Sequence, residues 1–341
     1  MSTRTSSKIT FSDGVEHEIS VDYGQSMLEA ALAADVPVLY QCGTGSCGSC
    51  VAHLDEGEAS HIAGSISSLL PSERSQGFRL LCITDPKDGC RFSVSYDSAV
   101  GAARPTQVKC FINAIDRIAC DVVRLVLELA EGYWLDFRPG QFVQLNVPGS
   151  RVLRSYSIAS TFEDLPRIEL LIRLLPNGIM SDWLTNCAKV DDVIDVSGPF
   201  GQFFLKEKVR GTHVMIAGGT GLAPMMSMID ALRATPGKKP KVILSFGCQT
   251  TDGLFNLDQI ELRKHWLPSL EVRVSVDRGQ SNENIRTGNP VSALTGMDGL
   301  GPDSVAYLCG PPGMIDSAKE HLEALGLLPQ NIFSEQFVAS S

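Results

Sequence analysis

The chain has 341 residues, 43% hydrophobic and 20% charged, a balance that fits a soluble globular protein of two or three domains. Its net charge of −10 disfavours nucleic acid and anionic membrane as partners. No stretch approaches ~18 uninterrupted apolar residues, and the opening MSTRTSSKIT has no apolar h-region, so the expectation is a cytoplasmic protein without a membrane span or secretory signal.

In chain order, residues 8–22 predict two short strands joined at Ser12-Asp13-Gly14. Ser26-Met27-Leu28-Glu29 fits a capping box, and Ala-rich sequence continues that helix to Asp35. A glycine- and cysteine-rich loop follows at 42–50, then strand-like Val51–Leu54, a polar stretch, and a last strand near 91–96. This is the pattern of a small α+β domain over 1–98, holding 13 Asp+Glu against 6 Lys+Arg in its first hundred residues. Small and polar residues at 98–106 read as a linker. Strand patterns at 108–114, 122–129, 142–147, 152–159 and 168–175, separated by turn residues, predict an antiparallel barrel over 107–208. From 211 to 341 apolar runs at 214–217, 242–246, 272–276 and 305–308 alternate with helical patterns, which predicts a parallel sheet covered by helices.

Three of the ten cysteines, Cys42, Cys47 and Cys50, stand in C-x4-C-x2-C spacing, with Cys82 further on. Four thiolates at these intervals suit a 2Fe–2S cluster of the plant type. Gly43, Gly45 and Gly48 permit the positive φ angles of a tight wrap, and the loop's N–H groups then face the sulfurs. Zinc sites usually pair C-x2-C with a second such motif or with histidines, and Cys82 has no such companion. Core cysteines remain the bland alternative. The segment 8–96 resembles the plant-type ferredoxins, whose domain is a β-grasp; Gly43 stands where many of them have Arg.

Two further motif groups follow. Arg154-Ser155-Tyr156-Ser157 lies on a predicted barrel strand, and Gly178-Ile179-Met180-Ser181 opens a helical stretch whose free N–H groups suit phosphate. Ala217-Gly218-Gly219-Thr220-Gly221-Leu222-Ala223-Pro224 follows a strand and precedes a helix, the setting in which glycines let a backbone approach phosphate and Pro suits the first helical turn. Cys309-Gly310-Pro311-Pro312-Gly313-Met314 ends another strand. Residues 247–252 after the second strand carry no basic side chain, and Asp252 would repel a 2′-phosphate or accept from a ribose hydroxyl, which favours NADH; Arg273 and Arg278 keep NADPH open.

Together these motifs resemble the ferredoxin–NADP reductase superfamily over 107–341, with an α/β Rossmann-like nicotinamide domain. The resemblance implies FAD, with Arg154 on its pyrophosphate, Tyr156 against the isoalloxazine and Ser157 near N5. It also implies that Gly178, Met180 and Ser181 cap the flavin phosphates, that Cys309 lies near the hydride path beside Gly310 and Pro311, and that Glu335 and Phe337 lie beside the flavin. Gly218, Gly219, Thr220, Gly221, Pro224 and Asp252 would bind the coenzyme. Nicotinamides deliver two electrons and the cluster takes one, so the carriers form a converter with flavin between them.

The domain order ferredoxin–flavin–nicotinamide resembles the reductase components of bacterial ring-hydroxylating dioxygenases, of the benzoate or anthranilate type. That resemblance implies an oxygenase with a Rieske cluster as acceptor, downhill from a plant-type cluster. The acidic first domain would dock on a basic oxygenase face in a salt-sensitive encounter. The same modules also serve di-iron monooxygenases and deoxysugar dehydratases, and a non-catalytic redox sensor or binding module is the reading from another class.

Overall fold

The structure, a computed structural model, describes residues 4–102, 104–206, 209–279 and 282–337. The ends of the three expected domains at 1–3, 207–208 and 338–341 lie outside the described residues. The chain divides into two compact units, 1–105 with 200–202, and 106–199 with 203–341. No helix among the described residues is long and apolar enough to cross a membrane.

In the first unit, β1 (Arg4–Thr10) and β2 (Glu16–Asp22) pair antiparallel, and alternation along them turns Ile9, Ile19 and Val21 inward. With β3 (Val51–Glu56), β5 (Phe78–Leu80) and β7 (Cys90–Ser93) they form one sheet in the order β2-β1-β7-β3-β5, β1 and β7 being parallel. Short β4 (Ala59–His61) and β6 (Thr84–Pro86) make a separate pair. Helix α1 (Met27–Ala33) begins with the expected capping box: the Ser26 hydroxyl accepts from the Glu29 N–H at 3.2 Å, and the Glu29 carboxylate accepts from the Ser26 N–H at 2.8 Å. A second short helix, α2, spans Pro71–Ser75.

The expected linker at 98–106 is partly a helix, α3 (Ser98–Ala102). Asp13 accepts from the Ser98 N–H at 2.9 Å and hydroxyl at 2.7 Å, fixing its start. Its small residues are there for packing: a Cβ on Gly101 would fall 1.5 Å from the Pro37 carbonyl oxygen. Smallness that reads as looseness in sequence here permits contact.

The second unit opens with the antiparallel barrel: β8 (Thr106–Ala119), β9 (Val122–Leu129), β10 (Phe142–Asn146), β11 (Leu153–Ser157), β12 (Arg167–Arg173) and β13 (Val193–Phe200), in the order β11-β10-β13-β8-β9-β12. A bridge between Ile158 and Leu170 joins the two edges. Inward residues such as Cys110, Ile112, Leu125, Leu127, Leu145 and Leu170 are sealed from solvent. Helix α4 (Ile179–Asn186) lies between β12 and β13. Strand β13 is absent from the sequence expectation, because Val193-Ile194-Asp195-Val196 alternates only briefly before Gly198-Pro199.

The remaining strands are β14 (His213–Gly218), β15 (Val242–Thr250), β16 (Leu270–Arg278), β17 (Ile285–Thr287), β18 (Val305–Gly310) and β19 (Ile332–Gln336). All pair parallel, in the order β17-β16-β15-β14-β18-β19. Helices α5 (Leu222–Ala234), α6 (Leu257–Trp266) and α7 (Pro312–Ala324) connect them. Winding reverses between β14 and β18, the switch point at which open α/β sheets bind ligands beyond the strand ends.

Arg273, 10% exposed, forks onto Asp298, 6% exposed, and donates to the Ala293 carbonyl at 2.6 Å. Arg273→Ala leaves the buried carboxylate without its cation, a loss of about 3–5 kcal/mol. Thermal unfolding of the purified variant should therefore fall by roughly 10 °C at neutral pH. Arg273 holds the Asp298 carboxyl below its ordinary value, so this stabilisation is present above the unfolded carboxyl pKa and lost as pH falls through the native one. Parent and variant melting curves should accordingly converge in acid.

Candidate functional site

The cysteine loop leaves a segment that is pinned before it begins. The Leu39 N–H donates to the buried Tyr96 hydroxyl at 2.8 Å, and Tyr96 stacks edge-on against Phe11. Gly43, Gly45 and Gly48 adopt φ of +68°, +83° and +73°. Gly45 is required twice over, because a Cβ there would also lie 2.1 Å from the Ile66 carbonyl oxygen. The Ser68 N–H donates to the Gly45 carbonyl at 2.8 Å, so residues 66–68 clamp the loop. On the other side, the Leu81 N–H donates to the Cys50 carbonyl at 3.0 Å and brings Cys82 beside Cys50.

The four thiols stand as two couples. Cys47 hydrogen-bonds Cys42 and holds its thiol down at about 3, while Cys47 itself is pushed up. Cys50 hydrogen-bonds Cys82 in the same sense, lowering Cys82 and raising Cys50. Main-chain donors converge on these sulfurs: Cys42 N–H to Cys47 at 3.5 Å, Thr44 N–H to Cys42 at 3.3 Å, Ser49 N–H to Cys47 at 3.5 Å, and Gly45 N–H to Cys82. Among the described residues no three His, Cys, Asp or Glu side chains gather as ligands of one ion. Two couples wrapped by N–H donors fit two irons, each taking two thiolates.

On the barrel, Arg154 and Tyr156 alternate with Ser155 along β11 and so share a face. The Arg154 guanidinium donates to the Leu153 carbonyl at 3.1 Å, and burial pushes the Tyr156 phenol up. Gly178 caps α4, where a Cβ would come 2.9 Å from the Ser181 hydroxyl oxygen. That hydroxyl is already taken by the Leu175 N–H at 2.8 Å, and the Met180 side chain is packed in the barrel core. For both residues the group turned to a ligand would be the main-chain N–H rather than the side chain.

The glycine turn after β14 sits at the switch point. Gly219 has φ of +56°, and a Cβ on Gly221 would lie 2.1 Å from the Cys309 carbonyl oxygen. A Cβ on Gly310 would meet the Met314 terminal methyl at 2.7 Å. Thr220 and Pro224 are buried, Pro224 being the third residue of α5. Pro311 caps α7. Across the sheet Ala217, Cys309 and Glu335 lie in register on neighbouring strands, and the Phe337 N–H donates to the Gly310 carbonyl at 2.9 Å. The Ser157 hydroxyl donates to Glu335 Oε2 at 2.9 Å, joining the end of β11 to this edge. Burial pushes the Glu335 carboxyl up to about 7, with the Ser157 bond pulling it back, and burial with the nearby Glu335 charge pushes the Cys309 thiol well up.

Cys309, Glu335 and Ser157 are thus brought together, and so are Gly218, Gly221 and Gly310. Asp252 is apart from them, exposed on the turn that follows β15. Of the two arginines that kept NADPH open, Arg273 is consumed by Asp298, whereas Arg278 lies opposite Thr250 at the strand ends. The 66–68 clamp on the cluster loop is a feature the sequence concealed, since a polar stretch without periodicity carries no signal.

A thiolate-lined loop, a cation-and-aromatic barrel face and a glycine turn at a parallel-sheet switch point define an iron–sulfur flavoprotein that oxidises NADH. Residues 10–87 match the 2Fe-2S iron-sulfur cluster binding domain, 109–205 the oxidoreductase FAD-binding domain and 215–320 the oxidoreductase NAD-binding domain. The toluate 1,2-dioxygenase electron transfer component of Pseudomonas putida is 30% identical over 335 residues, covering 97% of this chain and 98% of that one. Methane monooxygenase component C of Methylosinus trichosporium is 36% identical over 267 residues, 76% and 78% of the two chains. The cytochrome P450 reductase GcoB of Amycolatopsis superposes with a TM-score of 0.72 at 28% identity, covering 98% of this chain and 99% of that one. The chain belongs to this family of electron transfer components, NADH-dependent oxidoreductases that carry a 2Fe–2S cluster and FAD.

Two outcomes test the site. Gly45→Ala should purify with much less iron and sulfide than the parent, whereas Gly43→Ala, whose Cβ meets nothing within 4 Å, should keep more; iron and sulfide assays decide. Ser157→Ala removes the donor that lowers the Glu335 pKa, so the Glu335 carboxyl should titrate above about 7, seen as a carboxyl infrared band that persists to higher pH and is absent in Glu335→Gln.

Proposed function

We propose that this chain is the reductase component of a ring-hydroxylating dioxygenase system, passing electrons from NADH to the Rieske cluster of a separate oxygenase in the cytoplasm. The observation that carries it is the 30% identity with a dioxygenase electron transfer component over nearly the full length of both chains. When bound, FAD takes electrons in a pair from NADH and releases them singly to the 2Fe–2S cluster.

The chain's own residues have these roles. Cys42, Cys47, Cys50 and Cys82 hold the irons, within a domain over 1–98. In the domain over 107–208, Arg154 offers a planar cationic fork to the flavin diphosphate, and Tyr156 a ring face to the isoalloxazine. Gly178 opens the turn into α4 with its own N–H taken by the Leu175 carbonyl, and the N–H groups of Met180 and Ser181 would meet phosphate. In the domain over 211–341, Gly218, Gly219, Thr220 and Gly221 bring bare backbone to the coenzyme phosphates, and Pro224 holds the first turn of α5. Asp252 accepts from a ribose hydroxyl and repels a 2′-phosphate. Gly310, packed against the Met314 methyl and the Gly218 backbone, and Pro311 carry the turn after Cys309 that would lie beside the nicotinamide, and Phe337 covers the flavin edge. Glu335 Oε2, with a pKa near neutrality and one hydroxyl partner, holds or releases a proton beside the reacting rings.

A monooxygenase hydroxylase with a di-iron centre is the second reading, favoured by the 36% identity with methane monooxygenase component C. The experiment uses purified holoprotein under anaerobic conditions. NADH should bleach both flavin and cluster absorption in the parent and the flavin bands alone in Cys47→Ser. Reduced parent is then mixed with a Rieske oxygenase or with a di-iron hydroxylase. Reoxidation by the first, slowing with added salt, supports the proposal; reoxidation by the second alone transfers the assignment, and indifference to salt removes the electrostatic encounter.

A further inference from the structure

Near its end, strand β15 carries a thiol with no part in the roles above. Cys248 is half-buried and donates from Sγ to the Gly253 carbonyl at 3.1 Å. It thereby closes the loop through Thr251–Gly253 that bears Asp252. The main-chain N–H of Gly219, the first residue of the glycine turn, is directed at the same sulfur. Topology dictates this meeting. Strands β14 and β15 are parallel neighbours with Gly218 opposite Gly247, so Gly219 leaves β14 beside Cys248, which is still in β15 opposite Val276. The strand end has little freedom, because a Cβ on Gly247 would already lie 2.6 Å from Pro290. The loop is held from outside as well, the Cys120 N–H donating to the Asp252 carbonyl at 3.5 Å.

We propose that Cys248 is a positioning residue for the coenzyme, its sulfur fixing the spacing between the phosphate-facing turn at 219–221 and the ribose-facing turn at 251–253. The inference rests on the assignment of both turns to NADH under the proposed function. One sulfur meets both turns, donating to the Gly253 carbonyl of one and lying before the Gly219 N–H of the other. The donor sense persists at neutral pH because burial pushes the thiol up to about 12, so it stays protonated. Both turns face parts of the coenzyme that do not react, so loosening them weakens ground state and transition state alike.

The test is stopped-flow reduction of the full-length, FAD- and cluster-loaded protein by NADH, for the parent, Cys248→Ala and Cys248→Ser. Loss of a neutral hydrogen-bonding group predicts an apparent dissociation constant for NADH roughly threefold to tenfold higher in Cys248→Ala, with the limiting rate of flavin bleaching unchanged. Cys248→Ser, which keeps a donor and an acceptor, should recover most of that loss. An unchanged constant in Cys248→Ala, a limiting rate that falls while the constant holds, or a serine variant as weak as the alanine one would each overturn the proposal. A parent whose flavin NADH fails to bleach would sink the coenzyme assignment as well, whereas a bleaching parent with an indifferent Cys248→Ala sinks the positioning role alone.

Discussion

Strands β14 and β18 run side by side, and the turn leaving β14 passes so close to the end of β18 that residue 221 has no room for a side chain. Much of the coenzyme half follows from that approach. With Gly221 against the Cys309 carbonyl, the glycine turn lies over the strand ends and runs straight into α5. Gly310 is constrained on the same account, its hydrogens facing the Met314 methyl and the Gly218 backbone. The parallel register then carries the arrangement one strand further, setting Glu335 beside Cys309, where the barrel's Ser157 reaches it.

The cluster loop solves an equivalent problem with the same device. A backbone that must surround sulfur cannot also carry bulky side chains inward, so glycines take the left-handed angles and a neighbouring segment closes over them. The Ile66 carbonyl lies where a Gly45 side chain would be, and the Ser68 N–H ties that segment to the Gly45 carbonyl. The N–H groups left free by these angles turn toward the thiols, where donors lower the energy of negative charge on sulfur. In both halves, then, a missing side chain is what lets one stretch of main chain close against another.

How far this was legible from sequence depends on whether the signal is local. The Ser26 capping box, the hairpin at 12–14 and the parallel runs at 214–217, 242–246, 272–276 and 305–308 rest on neighbours in the chain, and the structure has them. The C-x4-C-x2-C spacing is equally local. Strand β13 was hidden by Gly198-Pro199, and α3 by small residues whose purpose, contact with Pro37, involves residues 64 positions away. Arg273 shows the reverse error. Its position near the coenzyme strands kept NADPH open, yet its guanidinium belongs to Asp298 in the following loop, a pairing no periodicity announces. The link between Ser157 and Glu335 spans 178 residues and likewise needed coordinates.

Burial also limits the chemistry the site can perform. A thiol with no exposed surface and a carboxylate in the adjacent register position is held well above its ordinary pKa, so Cys309 remains neutral at physiological pH. A neutral, sealed thiol is a poor nucleophile, which argues against a covalent intermediate at Cys309. Glu335 differs, because its single hydroxyl partner offsets only part of the cost of burying charge and leaves the carboxyl near neutrality. Two ionisable groups in register on neighbouring strands thus differ in kind, the thiol held protonated and the carboxyl brought near neutrality by the same burial.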